Sequence, residues 1–286
     1  MENNLNAQKA GTILVGSHTV NRMGYGAMRL TGQGVWGEPD DREAAKAVLK
    51  RAVELGVNFI DTADAYGPNV SENLIAETLK PYDGLVIATK GGLTRTGPDV
   101  WIPDCSPEHL REAIDDSLER LGLNQIPVYQ LHTVDKDVPF EDSLQTLIDL
   151  KQEGKIQHIG LSNVEPEHLI KALELTEIVS VQNHYNIGNR EHEDVLNVCE
   201  DNGIAFIPYF PLGSGELTAP DGPLADYAQK YGCTTGQIAL AWLLKHSQAM
   251  LPIPGTSSIA HLEENIGAAN IQFDDADLMA LDQFQA

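Results

Sequence analysis

Residues 41–67 read DREAAKAVLKRAVELGVNFIDTADAYG, and this stretch holds the unit from which the chain is built. Its first part places apolar residues at helical spacing and closes at Gly56, where a left-handed C-cap is expected. The run NFIDTA, ending at Ala63, then reads as a short buried strand. The same alternation recurs along the chain. Further runs are GYGAMRL ending at Leu30, LVIATK ending at Lys90, VYQLH ending at His132 and IQHIGLSN ending at Asn163. IVSVQNHYN ending at Asn186, AFIPYF ending at Phe210 and MLPIPGT ending at Thr256 complete a set of eight. Helical patterns such as SPEHLREAIDDSLERLG and FEDSLQTLIDLKQEG separate them, and each again closes on Gly. Ser106 followed by Pro107 marks a helix start, although His109 stands where a full capping box needs Glu or Gln. Strand-then-helix units with crossovers of this length make a parallel sheet, and eight of them close a (β/α)8 TIM barrel.

Two additions surround that barrel, and residues 1–286 read as a single domain. TILVGSHTVNR before the first strand predicts a hairpin able to plug the N-terminal mouth, and FDDADLMALDQF predicts an extra C-terminal helix. DGPLADYAQKYG adds a second helix to the seventh crossover. The competing doubly wound sheet should show GxGxxG after its first strand; Gly24-Tyr25-Gly26 begins that pattern, but Arg29 takes the place of the third glycine. GxxxxGK[ST], HExxH and GxSxG are likewise absent from the sequence.

The 286 residues carry 19 Lys plus Arg against 42 Asp plus Glu, a formal net charge of -23. Nucleic-acid binding draws its affinity from cations on phosphates, so this balance argues against it and reads as a solubility or high-salt adaptation. Cys105, Cys199 and Cys233 show no CxxC spacing and one must stay unpaired, which suits the reducing cytoplasm; Cys199 reads as core filler. No stretch has signal-peptide character or approaches a membrane-spanning length, and no metal-ligand cluster is visible. A cytoplasmic chain, favoured as a monomer, is expected.

In a barrel of this kind chemistry sits at the C-terminal ends of the strands. Asp61 ends the second strand, Tyr66 follows in DTADAYG, Lys90 ends the third strand and His132 the fourth. Taken singly, each has a structural explanation as an ion pair or a hydrogen-bonded core residue. Together they form an acid. A phenol titrates near 10, and a neighbouring cation favours its phenolate, so Lys90 is expected to lower the pKa of Tyr66 while Asp61 holds Lys90 charged. His132 then donates to, or orients, a carbonyl oxygen.

GVNFIDTADAYG, VIATK, VYQLH, HIGLSN, VQNHYN, YFPLGSG and IPGTSSIAHLEENIGA resemble, in order and through nearly the whole chain, the aldo-keto reductase superfamily. That resemblance implies a barrel that reduces aldehydes and ketones with an extended nicotinamide cofactor, and a catalytic tetrad of Asp61, Tyr66, Lys90 and His132. It places Gly26, Met28 and Asp61 beside the cofactor, Ser162, Asn163 and Gln182 on the nicotinamide carboxamide, and Tyr209 against the ring. Phe210, Pro211, Leu212, Gly213, Ser214 and Gly215 should cross the pyrophosphate. Gly255, Thr256, Ser257, Ser258 and His261 should hold the adenosine 2′-phosphate end, with Glu264 and Asn265 facing the adenine.

The sequence departs from the family at one point. Many members place Lys or Arg near the 2′-phosphate, whereas no Lys or Arg occurs from His246 to Ala286. NADP(H) is still expected, with NAD(H) as the alternative and a weaker discrimination between them. Trp36 and Trp101 are candidate walls of an aromatic substrate pocket, suited to neutral carbonyl compounds such as a pyridoxal-like or small aromatic aldehyde. The rival reading is a nicotinamide-binding regulatory subunit with slow turnover.

Overall fold

The computed structural model describes residues 5–213 and 215–284. Ser214, expected in the pyrophosphate loop, lies outside them. An antiparallel hairpin of β1 (Thr12–Val15) and β2 (His18–Asn21) precedes the parallel strands. These are β3 (Tyr25–Gly26), β4 (Phe59–Asp61), β5 (Val86–Gly91), β8 (Ile126–Leu131), β9 (Ile156–Ser162), β10 (Ile178–His184) and β11 (Ala205–Tyr209), hydrogen-bonded in that spatial order. Between β5 and β8 stands a separate hairpin, β6 (Leu93–Gly97) and β7 (Val100–Pro103), which the periodicity did not reveal. Helices α1 (Arg42–Glu54), α2 (Val70–Leu79), α3 (Pro107–Leu121), α4 (Phe140–Gln152), α5 (Pro166–Leu175) and α6 (Glu193–Asn202) fill the crossovers. The chain ends through α7 (Ala225–Tyr231), α8 (Thr235–His246), α9 (Ile259–Gly267) and α10 (Asp275–Asp282), which include the two added helices. Ser106 caps α3 by accepting from the His109 N–H at 3.3 Å, and Gly122 closes it at φ 60.

The eighth position of the (β/α)8 barrel is filled without a regular strand. Pro252 and Pro254 lack the N–H that a ladder needs, so MLPIPGT lies extended and closes the ring with individual bonds. Phe206 N donates to Ala249 O at 2.8 Å, Leu251 N to Phe206 O at 2.8 Å and Gly24 N to Pro252 O at 3.0 Å. The first run is also shorter than expected: after Gly26 the chain turns into a 3-10 segment, Ala27–Leu30. A Cβ on Gly26 would stand 2.7 Å from Ile253 O, so the first and eighth segments approach backbone to backbone.

Alternation along the strands sorts the barrel interior into two ends. Inward positions begin apolar at Phe59, Val86, Val128 and Ala205, and form one buried cluster with Val15 and Val20 of the β1–β2 hairpin. The hairpin therefore plugs the N-terminal mouth. Two or four residues further on, the same inward rows become Asp61, Lys90, Gln130 and His132, and they open on the C-terminal face.

Candidate active site

Lys90, without solvent exposure, is the centre of the polar end. Its Nζ donates to Asp61 Oδ1 at 2.6 Å, to Thr62 O at 2.8 Å and to the Tyr66 hydroxyl at 3.1 Å. An ammonium has three N–H groups, so all are engaged. Asp61 Oδ2 accepts from Gln130 Nε2 at 2.9 Å and Gln182 Nε2 at 2.8 Å. The Tyr66 and His132 rings lie 5.9 Å apart in an edge arrangement. All four expected catalytic residues thus meet at one place.

Burial acts on each of them differently. For Tyr66 it raises the phenol pKa above 10; Lys90 pulls it down, in the expected direction, without outweighing burial. The cation still offsets part of the desolvation cost of phenolate, and the proton stays on the hydroxyl at neutral pH. Burial also works against the Lys90 charge, but the interactions with Asp61 and Tyr66 outweigh it and leave the ammonium above its ordinary value. His132 is pushed well below 6.5 by burial, then by Lys90 and Arg95, so its ring is neutral.

These groups open into a cavity of about 420 Å³. Gly26, Met28, Asp61, Tyr66, His132, Ser162, Asn163, Gln182 and Tyr209 line it, together with Phe210, Pro211, Leu212, Gly213 and Gly255. A second cavity of about 740 Å³ meets it at Leu212 and Gly255, and is lined by Thr256, His261, Glu264 and Asn265. Ser257 and Gly215 are exposed and lie outside both linings. A Cβ on Gly255 would come within 2.6 Å of Gly26 O, so the passage between the cavities depends on a glycine there.

The polar groups fit an extended dinucleotide. Gln182 donates through Nε2 to Asp61 and to Gln130 Oε1 at 3.3 Å, which leaves its own Oε1 to accept from an amide. Asn163 Nδ2 donates to His132 O at 2.9 Å and to Ser162 Oγ at 3.2 Å, and its Oδ1 accepts from Tyr209 at 2.8 Å. Ser162 keeps its own hydroxyl proton to give. These are the complementary groups for a carboxamide beside an aromatic face. Asp61 lines the cavity as well: its Oδ2 accepts from two amides and its Oδ1 from Lys90 alone, which leaves Oδ1 a lone pair for a further donor.

Sequence reading missed three residues here. Gln130 lies two positions before His132 on the same inward row, a parity that could have revealed it. Arg29, noticed only as an interruption of a glycine pattern, lines the first cavity with its Cγ 3.6 Å from a Cβ built on Gly255. It is the one Lys or Arg among the described lining residues of either cavity. Arg95 was hidden in the unrecognised β6–β7 hairpin. Of the two candidate tryptophans, Trp101 lines the cavity and Trp36 does not; the neighbouring Val35 does, while Trp36 forms an isolated bridge with Gly67. Cys199 is fully buried in the core, where burial raises its thiol pKa.

The family model for the aldo/keto reductase family matches residues 22–286. The chain belongs to that family. An uncharacterized oxidoreductase of Schizosaccharomyces pombe is 51% identical over 279 residues, covering 98% of this chain and 91% of that protein. Pyridoxine 4-dehydrogenase of Escherichia coli is 44% identical over 280 residues, covering 96% and 98% respectively. Among solved structures, an aldo-keto reductase from Klebsiella pneumoniae in complex with NADPH superimposes with a TM-score of 0.80 at 26% identity, over 95% of this chain and 94% of that one. As an aldo-keto reductase, the protein is an oxidoreductase of the NAD(P)H-using kind. Among the described residues no helix is long and apolar enough to cross a membrane.

Proposed function

We propose that the protein reduces aldehydes or ketones to alcohols with NADP(H), using Tyr66 as general acid. The observation that carries this reading is the Tyr66 hydroxyl, 3.1 Å from the buried Lys90 Nζ and lining the cavity beside His132. When bound, the reduced nicotinamide supplies the hydride. Tyr66 gives its proton to the carbonyl oxygen, and Lys90 stabilises the phenolate that is left. Asp61 keeps Lys90 charged and is itself held by Gln130 and Gln182. His132, as a neutral imidazole, hydrogen-bonds the substrate oxygen and selects its orientation.

Ser162, Asn163, Gln182 and Tyr209 would hold the nicotinamide, the loop at Phe210–Gly213 with Arg29 the diphosphate, and Gly255, Thr256, His261, Glu264 and Asn265 the adenosine end. The described lining of the second cavity contains Asp226 and Glu264 but no Lys or Arg, which weakens any preference for the 2′-phosphate and supports acceptance of NADH as well. Trp101, Val35, Leu93 and Met28 make the first cavity apolar and partly aromatic, suited to a flat neutral aldehyde. The relationship to pyridoxine 4-dehydrogenase makes a pyridoxal-like aldehyde the first compound to try.

The test is the initial rate of reduced-nicotinamide oxidation with pyridoxal and with an activated benzaldehyde, for NADPH and NADH separately. Turnover with either cofactor is expected, and Tyr66→Phe should lower it by about 10²-fold or more without loss of cofactor affinity. A Tyr66→Phe variant that keeps wild-type rates would show that the acid is another group.

A further inference from the structure

The hairpin β6–β7 pairs with no barrel strand, yet it supplies Leu93, Asp99 and Trp101 to the cavity. A two-stranded hairpin standing alone is marginal, so something must fix its position. Arg95 does so from within the hairpin. Its Nε donates to Val100 O at 2.8 Å, and its Nη2 to Gly34 O at 2.8 Å and Gly97 O at 3.3 Å. Its Nη1 donates to Val35 O and Ala65 O, both at 2.9 Å. A guanidinium has five N–H donors, and here every one meets a backbone carbonyl.

Those carbonyls belong to three segments: the hairpin, the loop after β3, and the loop after β4 in which Ala65 directly precedes Tyr66. The plane of the guanidinium also stacks on Trp101, with Cζ 3.6 Å from the ring centroid. Trp101 in turn meets Tyr66 and His132 edge-on, each at 6.3 Å between centroids. The loops after β3 and β4 have further bonds to each other, Gly37 N to Gly67 O at 2.6 Å and Gly67 N to Val35 O at 3.3 Å. The hairpin's own link to them is sparser, the Asp99 N–H to Gly34 O at 2.9 Å beside the bonds of Arg95.

We propose that Arg95 is a positioning residue that sets substrate range: it fixes the Trp101 wall over Tyr66 and His132 and so makes the cavity a slot for planar aromatic carbonyl compounds. It does not touch substrate, because it has no N–H left to offer. This proposal rests on the reductase reading above. Lysine keeps the charge but has neither the planar fork nor the stacking face, so Arg95→Lys separates geometry from charge.

The experiment compares wild type, Arg95→Lys, Trp101→Ala and the double variant with an aromatic and a short aliphatic aldehyde, and follows amide hydrogen exchange over residues 93–103. For Arg95→Lys, KM for the aromatic aldehyde should rise about tenfold or more, with a smaller change in kcat and in the aliphatic KM, and with unchanged cofactor affinity. Exchange in the hairpin should accelerate by a similar factor. The double variant should be no worse than Trp101→Ala, since both changes remove the same wall. An unchanged ratio of aromatic to aliphatic KM, full rescue by lysine, or additive losses would overturn the proposal. A wild type that reduces neither aldehyde would overturn the reductase reading and the substrate part with it, while unaltered hairpin exchange would overturn the positioning role whatever the turnover.

Discussion

The two cavities that meet at Leu212 and Gly255 are built differently. The smaller is rooted in barrel strands: Asp61, Lys90, Gln130 and Gln182 are buried and joined through Asp61 by hydrogen bonds. The larger lies among loops and helices; Thr235, Thr256 and Asn265 are buried in it, but His261 is exposed and the half-buried Glu264 accepts from the Thr234 hydroxyl at 2.6 Å. A buried, closed network tolerates little change because each lost partner leaves a desolvated polar group behind. An exposed lining can exchange residues freely, since water replaces whatever is lost. The proposed function accordingly assigns the chemistry to the first cavity and cofactor discrimination to the second.

The largest effect should come from breaking the closed network. Asp61→Asn leaves the Lys90 ammonium buried without a counter-charge, and denaturant unfolding should show a loss of about 3–5 kcal/mol together with loss of turnover. If that variant kept full stability, the contrast between the cavities would lose its basis. Gln130→Leu removes one of the two amide donors to Asp61 Oδ2 and should cost less, about 1–3 kcal/mol, measured the same way. In the second cavity, His261→Arg adds a fixed cation; the ratio of kcat/KM for NADPH over NADH should rise about tenfold, with the unfolding midpoint unchanged.

The smallest change is expected with pH. The His132 pKa in the folded chain lies well below 6.5, so the ring stays neutral as pH falls through that value. Between about pH 8 and pH 6, kcat/KM per folded molecule should show no step from this residue, on the rule that kcat/KM reports the groups of the free enzyme. The unfolded chain does take up the proton near 6.5, so His132 contributes a loss of stability as pH falls below that value. An acid limb of kcat/KM centred at 6.5 would mean that His132 is not desolvated.

The comparison also explains how far reading the sequence could go. Strand-end residues were legible because alternation and the unit repeat determine where an inward row ends, and Asp61, Lys90 and His132 follow from that without any knowledge of the sheet. The first and eighth runs were over-read as full strands, since their apolar character does not disclose the Gly26–Ile253 approach or the donors that Pro252 and Pro254 lack. Trp36 and Trp101 looked equivalent as loop aromatics. Only folding separates them: the Arg95 guanidinium lies over both rings, 3.6 Å from Trp101 and 5.8 Å from Trp36, but only Trp101 lines the cavity.

What the sequence by itself determined is the periodicity: eight alternating units, hence a barrel, a polar C-terminal face and the residues at the ends of its rows. Local spacing suffices for this because side-chain direction along a strand repeats every second residue. What only the tertiary structure decided is the sign of the balance at each group and the course of the loops. Whether Lys90 or burial governs the Tyr66 proton depends on how much water the packed barrel excludes. Where Arg29 and Arg95 reach depends on carbonyls and glycines brought together from distant segments, and such contacts have no period to read.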